Sequence, residues 1–192
     1  MYFNTIKAFT SAIDAKDVYT QNHSRRVAES SVAFARELQL TEQEIMNIGY
    51  GATMHDIGKI GVPELILNKN GKLLEEEFEL IKAHPAIGAK ILEPIDFSKA
   101  ALDIVRYHHE RYDGKGYPDG LRGEAIPYTA RIVAIADAWD AMFSHRSYRS
   151  ALSFEEAVAE LRQGAGSQFD PYLAKVFIDM AEDAKGFIVL HS

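Results

Sequence analysis

The sequence predicts an all-α domain, and three observations carry that expectation. Apolar residues recur at helical spacing along most of the chain. Thr41 to Glu44 and Ser153 to Glu156 each carry a hydroxyl residue three positions before a glutamate, the capping-box pattern that satisfies the free amides of a helix start. Glycine and proline gather in one stretch, Asp113 to Pro127, instead of being spread between many short elements.

The elements follow in order. A first helix is expected over residues 4–17. From Gln21 to Gln39, Val27, Phe34 and Leu38 form an apolar stripe, while Arg25, Arg26, Glu29, Arg36 and Glu37 take the other faces. The helix opened by the Thr41 box should run to about Asp56 and stop at Gly58 and Gly61. Further helices are expected over 74–82, 85–93, 98–110 and 127–144. Pro85 and Pro127 suit first-turn positions, where a missing amide hydrogen costs nothing. The composition of Asp113–Pro127 excludes a helix and reads as an ordered loop or tight hairpin between two strong helices. Ser153 opens a helix to about Arg162, and a last one covers 171–183.

At 192 residues, with no internal repeat or linker-like stretch, the chain (1–192) reads as a single domain. It contains no cysteine, which excludes disulfide frameworks, thiolate zinc sites, iron–sulfur clusters and cysteine nucleophiles. Any metal site must use histidine, carboxylate and water. The longest apolar runs, such as Ile132 to Ala136, fall far short of the roughly 18 residues a membrane span needs. With no basic-then-apolar leader visible, a cytoplasmic location is expected. The net charge of −7 disfavours polymeric nucleic acid as a partner but leaves room for a small anion at a local positive site.

Six segments hold unusual polar residues: His23; His55-Asp56 with Lys59; His84; His108-His109; Asp137 with Asp140; and His145-Arg146 with Arg149. His23 precedes Val27 by four residues and so continues an apolar stripe. His108 and His109 follow Ala101 and Leu102 by seven, with Val105 between, and turn inward too. Asp137 follows Val133 by four on a helix that is apolar nearly all round, which predicts burial, and a buried carboxylate needs a partner or a metal. Taken singly each has a bland explanation: an inward His23 or His84 is more often a hydrogen-bonded core residue, and Asp137 could pair with Arg131. Taken together, inward imidazoles and carboxylates on separate helices point to one central metal site.

His55-Asp56-Ile57-Gly58-Lys59 resembles the dyad of the HD superfamily of metal-dependent phosphohydrolases. The run from His108-His109-Glu110 through Asp113-Gly114-Lys115-Gly116-Tyr117-Pro118 to Ile126-Pro127 resembles the extended motif of the HD-GYP subgroup. The likeness continues through Arg131, Asp137, Asp140, Arg146 to Arg149 and Gln168-Phe169-Asp170-Pro171, and spans about Thr5 to Met180. The resemblance implies an HD-superfamily helical bundle with the GYP loop between two core helices, and a phosphodiesterase hydrolysing cyclic di-GMP, with linear pGpG or, after a second hydrolysis, GMP as the product. It implies metal ligation by His23, His55, Asp56, His84, His108, His109 and Asp137, a catalytic role for Lys59 with Asp56, and substrate contacts from Lys59, Tyr117, Arg146 and Arg149. Asp140 and Asp113 would lie behind these, with Asp140 orienting a ligand or an arginine. Glycines 114 and 116 would let the backbone approach the ligand.

Some family members carry a glutamate supporting a third ion where this chain has Tyr19, so two divalent ions are expected. Nitrogen and carboxylate donors suit iron, manganese, nickel, cobalt or zinc and argue against calcium, and the resemblance favours iron or manganese. Asp56 is the natural bridge, since a carboxylate offers two oxygens. The expected chemistry is in-line attack by a metal-bridging hydroxide. Lys59 would reach the same phosphate if the helix persists past Gly58. Alternatives are cyclic GMP-AMP as substrate, or a receptor module that binds without turnover. Helix 4–17 reads as a connecting helix or a homodimer contact. A sensory or receiver domain, or a diguanylate cyclase, would act in trans, unless the sequence is an excised domain.

Overall fold

The computed structural model describes residues 10, 13, 22–69, 71–95, 97–144 and 151–184. The expected helix 4–17 apart from Thr10 and Ile13, together with Tyr19, Arg146 and Arg149, lies outside the described residues.

Among the described residues the structure is helical with no strand. Helix α1 covers His23–Glu37 and α2 Glu42–Met54, a 3-10 turn follows at Ile57–Gly61, and α3 is the single turn Glu64–Leu67. Then come α4 Glu75–Lys82, α5 His84–Leu92 and α6 Lys99–Tyr107. The loop holds a second 3-10 turn at Gly123–Ala125 and leads to α7 Tyr128–Phe143, α8 Phe154–Gly164 and α9 Pro171–Asp183.

Local chemistry explains the starts. Thr41 and Ser153 form the two expected reciprocal capping boxes. Ser98 caps α6 by accepting from the Ala101 amide, and Asp170 caps α9 by accepting from Tyr172 and Leu173. Two ends fall earlier than the periodicity suggests. α2 stops at Met54 and α6 at Tyr107, so His55 and His108 are C-caps and the residues after them leave the helix.

Two apolar clusters hold the bundle. The larger joins α1, α2, α6, α7, α8 and α9 through Phe34, Ile48, Ile104, Ile135, Leu161 and Phe177. Within it Trp139 packs edge-on against Phe177 at 5.4 Å between ring centres, and Phe34 against Phe177 at 5.0 Å. The smaller brings Ile13, Met54, Ile57, Leu92 and Val105 together beneath the 3-10 turn. That turn sits directly on α5: a Cβ on Gly58 would lie 1.8 Å from the His84 carbonyl oxygen and 2.6 Å from the Gly88 amide nitrogen. Gly58 thus permits the contact that brings Asp56 and His84 side by side.

Candidate metal centre

The polar residues meet at the ends of these helices. His23 opens α1, His55 and Asp56 lie at the break after α2, His84 opens α5, His108 and His109 follow α6, and Asp137 reaches in from the middle of α7. Ligand-capable atoms of Asp56, His84, His108 and His109 lie within 4.8 Å of one another, as do those of His23, His55 and Asp56. Asp56 belongs to both groups. Asp137 Oδ1 joins the second, 3.1 Å from His23 Nε2 and 3.9 Å from His55 Nε2. His23, His55, Asp56, His84 and His108 are buried, and Asp137 is mostly so.

The tautomers can be read from the partners. Carbonyl oxygens only accept, so Nδ1 of His55 donates to Ala52 at 2.7 Å and that of His84 to Ile81 at 2.7 Å. Nδ1 of His108 donates to Ile104 and Val105 at 3.2 and 3.1 Å. In the neutral ring each Nε2 is then the nitrogen that carries the lone pair, and it faces the centre. Nε2 of His84 and of His108 face one another at 3.3 Å, Nε2 of His84 also lies 3.2 Å from Asp56 Oδ1, and buried His55 Nε2 has no hydrogen-bond partner. Lone pairs converging in this way, each backed by a fixed donor on the other ring nitrogen, are the donor set a divalent cation needs. The residues fit a metal, and Asp56 is placed to be shared.

Burial and charge divide the imidazoles: burial opposes charge on His55, but Asp56 and then Asp137 raise it. Burial, and then the neighbouring imidazoles, push His108 far below its ordinary pKa, and burial with His84 pushes His109 down to about 3. Both are neutral and free to donate at neutral pH. Burial opposes charge on His23 as well, but hydrogen bonds to Asp137 and Asp140 outweigh it and raise that imidazole to about 10. Burial raises Asp56 and Asp137, yet Lys59 and His55 beside the first and His23 and His55 beside the second hold both well below the carboxylate range.

Outside the cluster, Lys59 Nζ lies 2.7 Å from Asp56 Oδ2. The helix does not continue to it, as Gly58 had left open; the 3-10 turn brings Lys59 round instead. Tyr117 stacks on His109 at 4.9 Å between ring centres, its phenol pushed up by burial and then by Asp137 and Asp56. Asp140 accepts from His23 Nδ1 at 2.7 Å and takes two bonds from Arg26, Nε at 2.6 Å and Nη2 at 2.9 Å.

Four expectations change. Arg26, expected on a solvated face, is turned to Asp140; it stands three residues after His23, hence one turn along the same side of α1. Asp113 is engaged locally, pairing with Arg111 and accepting from the Lys115 amide. Gly116 serves a close approach to protein: a Cβ there would meet the Arg111 amide nitrogen at 2.3 Å and the His109 carbonyl oxygen at 2.6 Å. Arg131, offered as a partner for Asp137, bonds Asp170 instead. Glu110, which sequence reasoning passed over, is buried under the loop and accepts from the Asp119 and Leu121 amides. Its signal was a charged residue directly after two inward histidines.

Comparison with known proteins follows the same lines. The HD domain family matches residues 7–173. The chain is 43% identical over 169 residues to the cyclic di-GMP phosphodiesterase response regulator RpfG of Xanthomonas campestris, covering 87% of this chain and 45% of that protein. It is 37% identical over 166 residues to the 3'3'-cGAMP-specific phosphodiesterase 3 of Vibrio cholerae, covering 86% and 36%. The crystal structure of a cyclic GMP-AMP-specific phosphodiesterase from V. cholerae superposes with a TM-score of 0.75 at 21% identity, over 98% of this chain and 50% of the other, and shares its fold. The chain therefore belongs to the HD domain family, and within it to the HD-GYP proteins. It spans less than half the length of these curated relatives. Among the described residues no helix is long and apolar enough to cross a membrane.

Proposed function

We propose that this chain is a metal-dependent phosphodiesterase domain that hydrolyses cyclic di-GMP to linear pGpG and GMP. The observation that carries the reading is the pair of ligand groups meeting at Asp56, with Lys59 against the same carboxylate. His23, His55 and Asp137 would hold one divalent ion and His84, His108 and His109 the other, with Asp56 between them; iron or manganese suits the donors, and nickel, cobalt or zinc also fit. Two such ions supply Lewis-acid neutralisation of a phosphodiester and an activated water.

The chain's own residues do the rest. Asp140 fixes His23 through Nδ1, and the carbonyls of Ala52, Ile81, Ile104 and Val105 fix the rings of His55, His84 and His108, so their orientation is set before substrate arrives. Lys59, at the edge of the cluster, places a positive charge where a non-bridging phosphate oxygen would sit and offsets negative charge as it develops. Tyr117, stacked on His109, walls one side and offers its ring face and hydroxyl to the nucleotide. Arg146 and Arg149 are proposed as further phosphate contacts.

The test is anaerobic purification, metal analysis, and incubation with cyclic di-GMP with products followed by chromatography. About two ions per chain and formation of pGpG or GMP is the expected outcome. Two ions without turnover would refute the substrate. No metal after iron or manganese loading would remove the mechanism. Asp56→Ala should be silent. The similarity to a cGAMP-specific relative supports 3'3'-cGAMP as a second substrate for the same assay.

A further inference from the structure

We infer that Glu110, Arg131 and Asp170 are positioning residues that tie the Asp113–Pro127 loop at its start, middle and end, and so hold Tyr117 against His109. The inference deepens the proposed function, because it concerns the wall of the same site.

The loop carries four glycines and two prolines and leans on no strand among the described residues, so beyond its own 3-10 turn its shape depends on bonds from outside it. Its middle is held from the cluster side: Glu110 Oε1 accepts from the Asp119 amide at 2.7 Å and Oε2 from the Leu121 amide at 3.0 Å. Its start is held from the far side, where the Tyr112 and Asp113 amides donate to the carbonyls of Gln168 and Ser167 at 3.2 and 2.7 Å. Those carbonyls belong to the turn between α8 and α9, and Asp170 governs that turn. Asp170 Oδ1 caps α9 and Oδ2 accepts from Arg131 Nη1. Arg131 Nε in turn donates to the Ile126 carbonyl, at the end of the loop. The circuit closes: α7 holds the loop's end and the turn, the turn holds its start, and Glu110 holds its middle.

The consequence falls on Tyr117. With Glu110 anchoring the segment beyond it and Gly116 pressed on the His109 backbone, the Tyr117 amide reaches the His109 carbonyl at 3.3 Å and the ring lies over the imidazole. Glu110 and Asp170 are both buried, and a buried carboxylate is retained only where its acceptors are used. Here each oxygen of each carboxylate has a donor, and each donor belongs to the loop, to the first turn of α9 or to Arg131.

Two isosteric substitutions test this in the holoprotein. Glu110→Gln turns an amide donor toward a backbone N–H, and Asp170→Asn can keep the α9 cap while losing the bond from Arg131. Hydrogen exchange followed by mass spectrometry should show peptides covering 112–127 exchanging about tenfold faster or more in each variant, with α1, α2 and α5 unchanged. Metal per chain should stay as in the parent. The KM for cyclic di-GMP should rise about tenfold while kcat stays within about threefold, as expected when a binding wall loosens and the reacting groups do not. Exchange raised evenly across all helices in both variants would overturn the inference in favour of a general stability role. Faster loop exchange with unchanged KM would overturn it as well. Exchange is read without substrate, so a parent protein that leaves cyclic di-GMP intact would defeat the proposed function and leave the loop anchoring to be judged by exchange alone.

Discussion

Gly58→Ala is the substitution whose effect the structure specifies most closely. The added Cβ would sit 1.8 Å from the His84 carbonyl oxygen and 2.6 Å from the Gly88 amide nitrogen, whereas ordinary contact begins near 3.4 Å. Both obstacles are backbone and cannot rotate away. The 3-10 turn and the start of α5 must therefore separate by about 1.5 Å, an overpacking strain at the upper end of the usual range, roughly 3 kcal/mol. For a domain of this size that lowers the melting midpoint by about 6–12 °C. The same movement parts Asp56 from His84, now 3.2 Å apart between Oδ1 and Nε2, and metal–ligand distances tolerate only about 0.2 Å. Bound metal should fall by half or more. Gly61→Ala is the control, because its Cβ would meet the Ile87 Cδ1 atom at 3.0 Å, a side-chain end that can give. Its cost should stay under about 1 kcal/mol, with metal retained. Thermal melts and elemental analysis on the two variants decide it. Equal midpoints, or full metal in Gly58→Ala, would refute the reasoning.

Other expectations follow from single contacts. Asp140→Asn should weaken metal affinity about 10- to 100-fold by chelator competition, and Arg26→Met by less, since His23 keeps its bond to Asp140 in the second variant. Lys59→Met should leave metal content unchanged and lower turnover of cyclic di-GMP by about 100-fold; unchanged turnover would remove Lys59 from the mechanism. Chelation should abolish activity and lower the unfolding midpoint, because a cation bound only by the folded cluster stabilises it and buried His55 Nε2 is left without a partner, and a midpoint indifferent to chelator would argue against metal at the cluster.

Much of the site was legible because helical register carries slightly past a helix end. His108 points inward as its spacing from Ala101 predicts, although it is the C-cap of α6 and His109 lies beyond it. His23 continues the Val27 stripe for the same reason. What periodicity does not encode is reach. Lys59 meets Asp56 only because the chain changes from an α-helix to a 3-10 turn, and that change depends on a contact with α5 some 26 to 30 residues later in the chain. Arg26 looked solvated because a stripe assigns faces by apolarity, and Asp140, which draws the guanidinium inward, lies 114 positions away. Gly116 is legible as a residue permitting a close approach, but the object approached is the His109–Arg111 backbone, which no local pattern reveals.

The distribution of ligands has a physical consequence of its own. Of the seven candidate ligands, only Asp137 stands in the middle of a helix; the others cap a helix, open one or follow one. A terminal residue borrows the rigidity of the helix and the carbonyl oxygens of its last turn, which is how the Nδ1 atoms of His55 and His108 are satisfied without a dedicated side chain. Three imidazoles, His55, His84 and His108, are therefore fixed by backbone carbonyls alone, and Asp140 does the same for His23. His23 opens α1, and its Nδ1 is held by a carboxylate from α7, which Arg26 holds in turn. The division explains why the support of the centre is concentrated at His23, and why metal affinity should be more sensitive to Asp140 than to any other residue that is not itself a ligand.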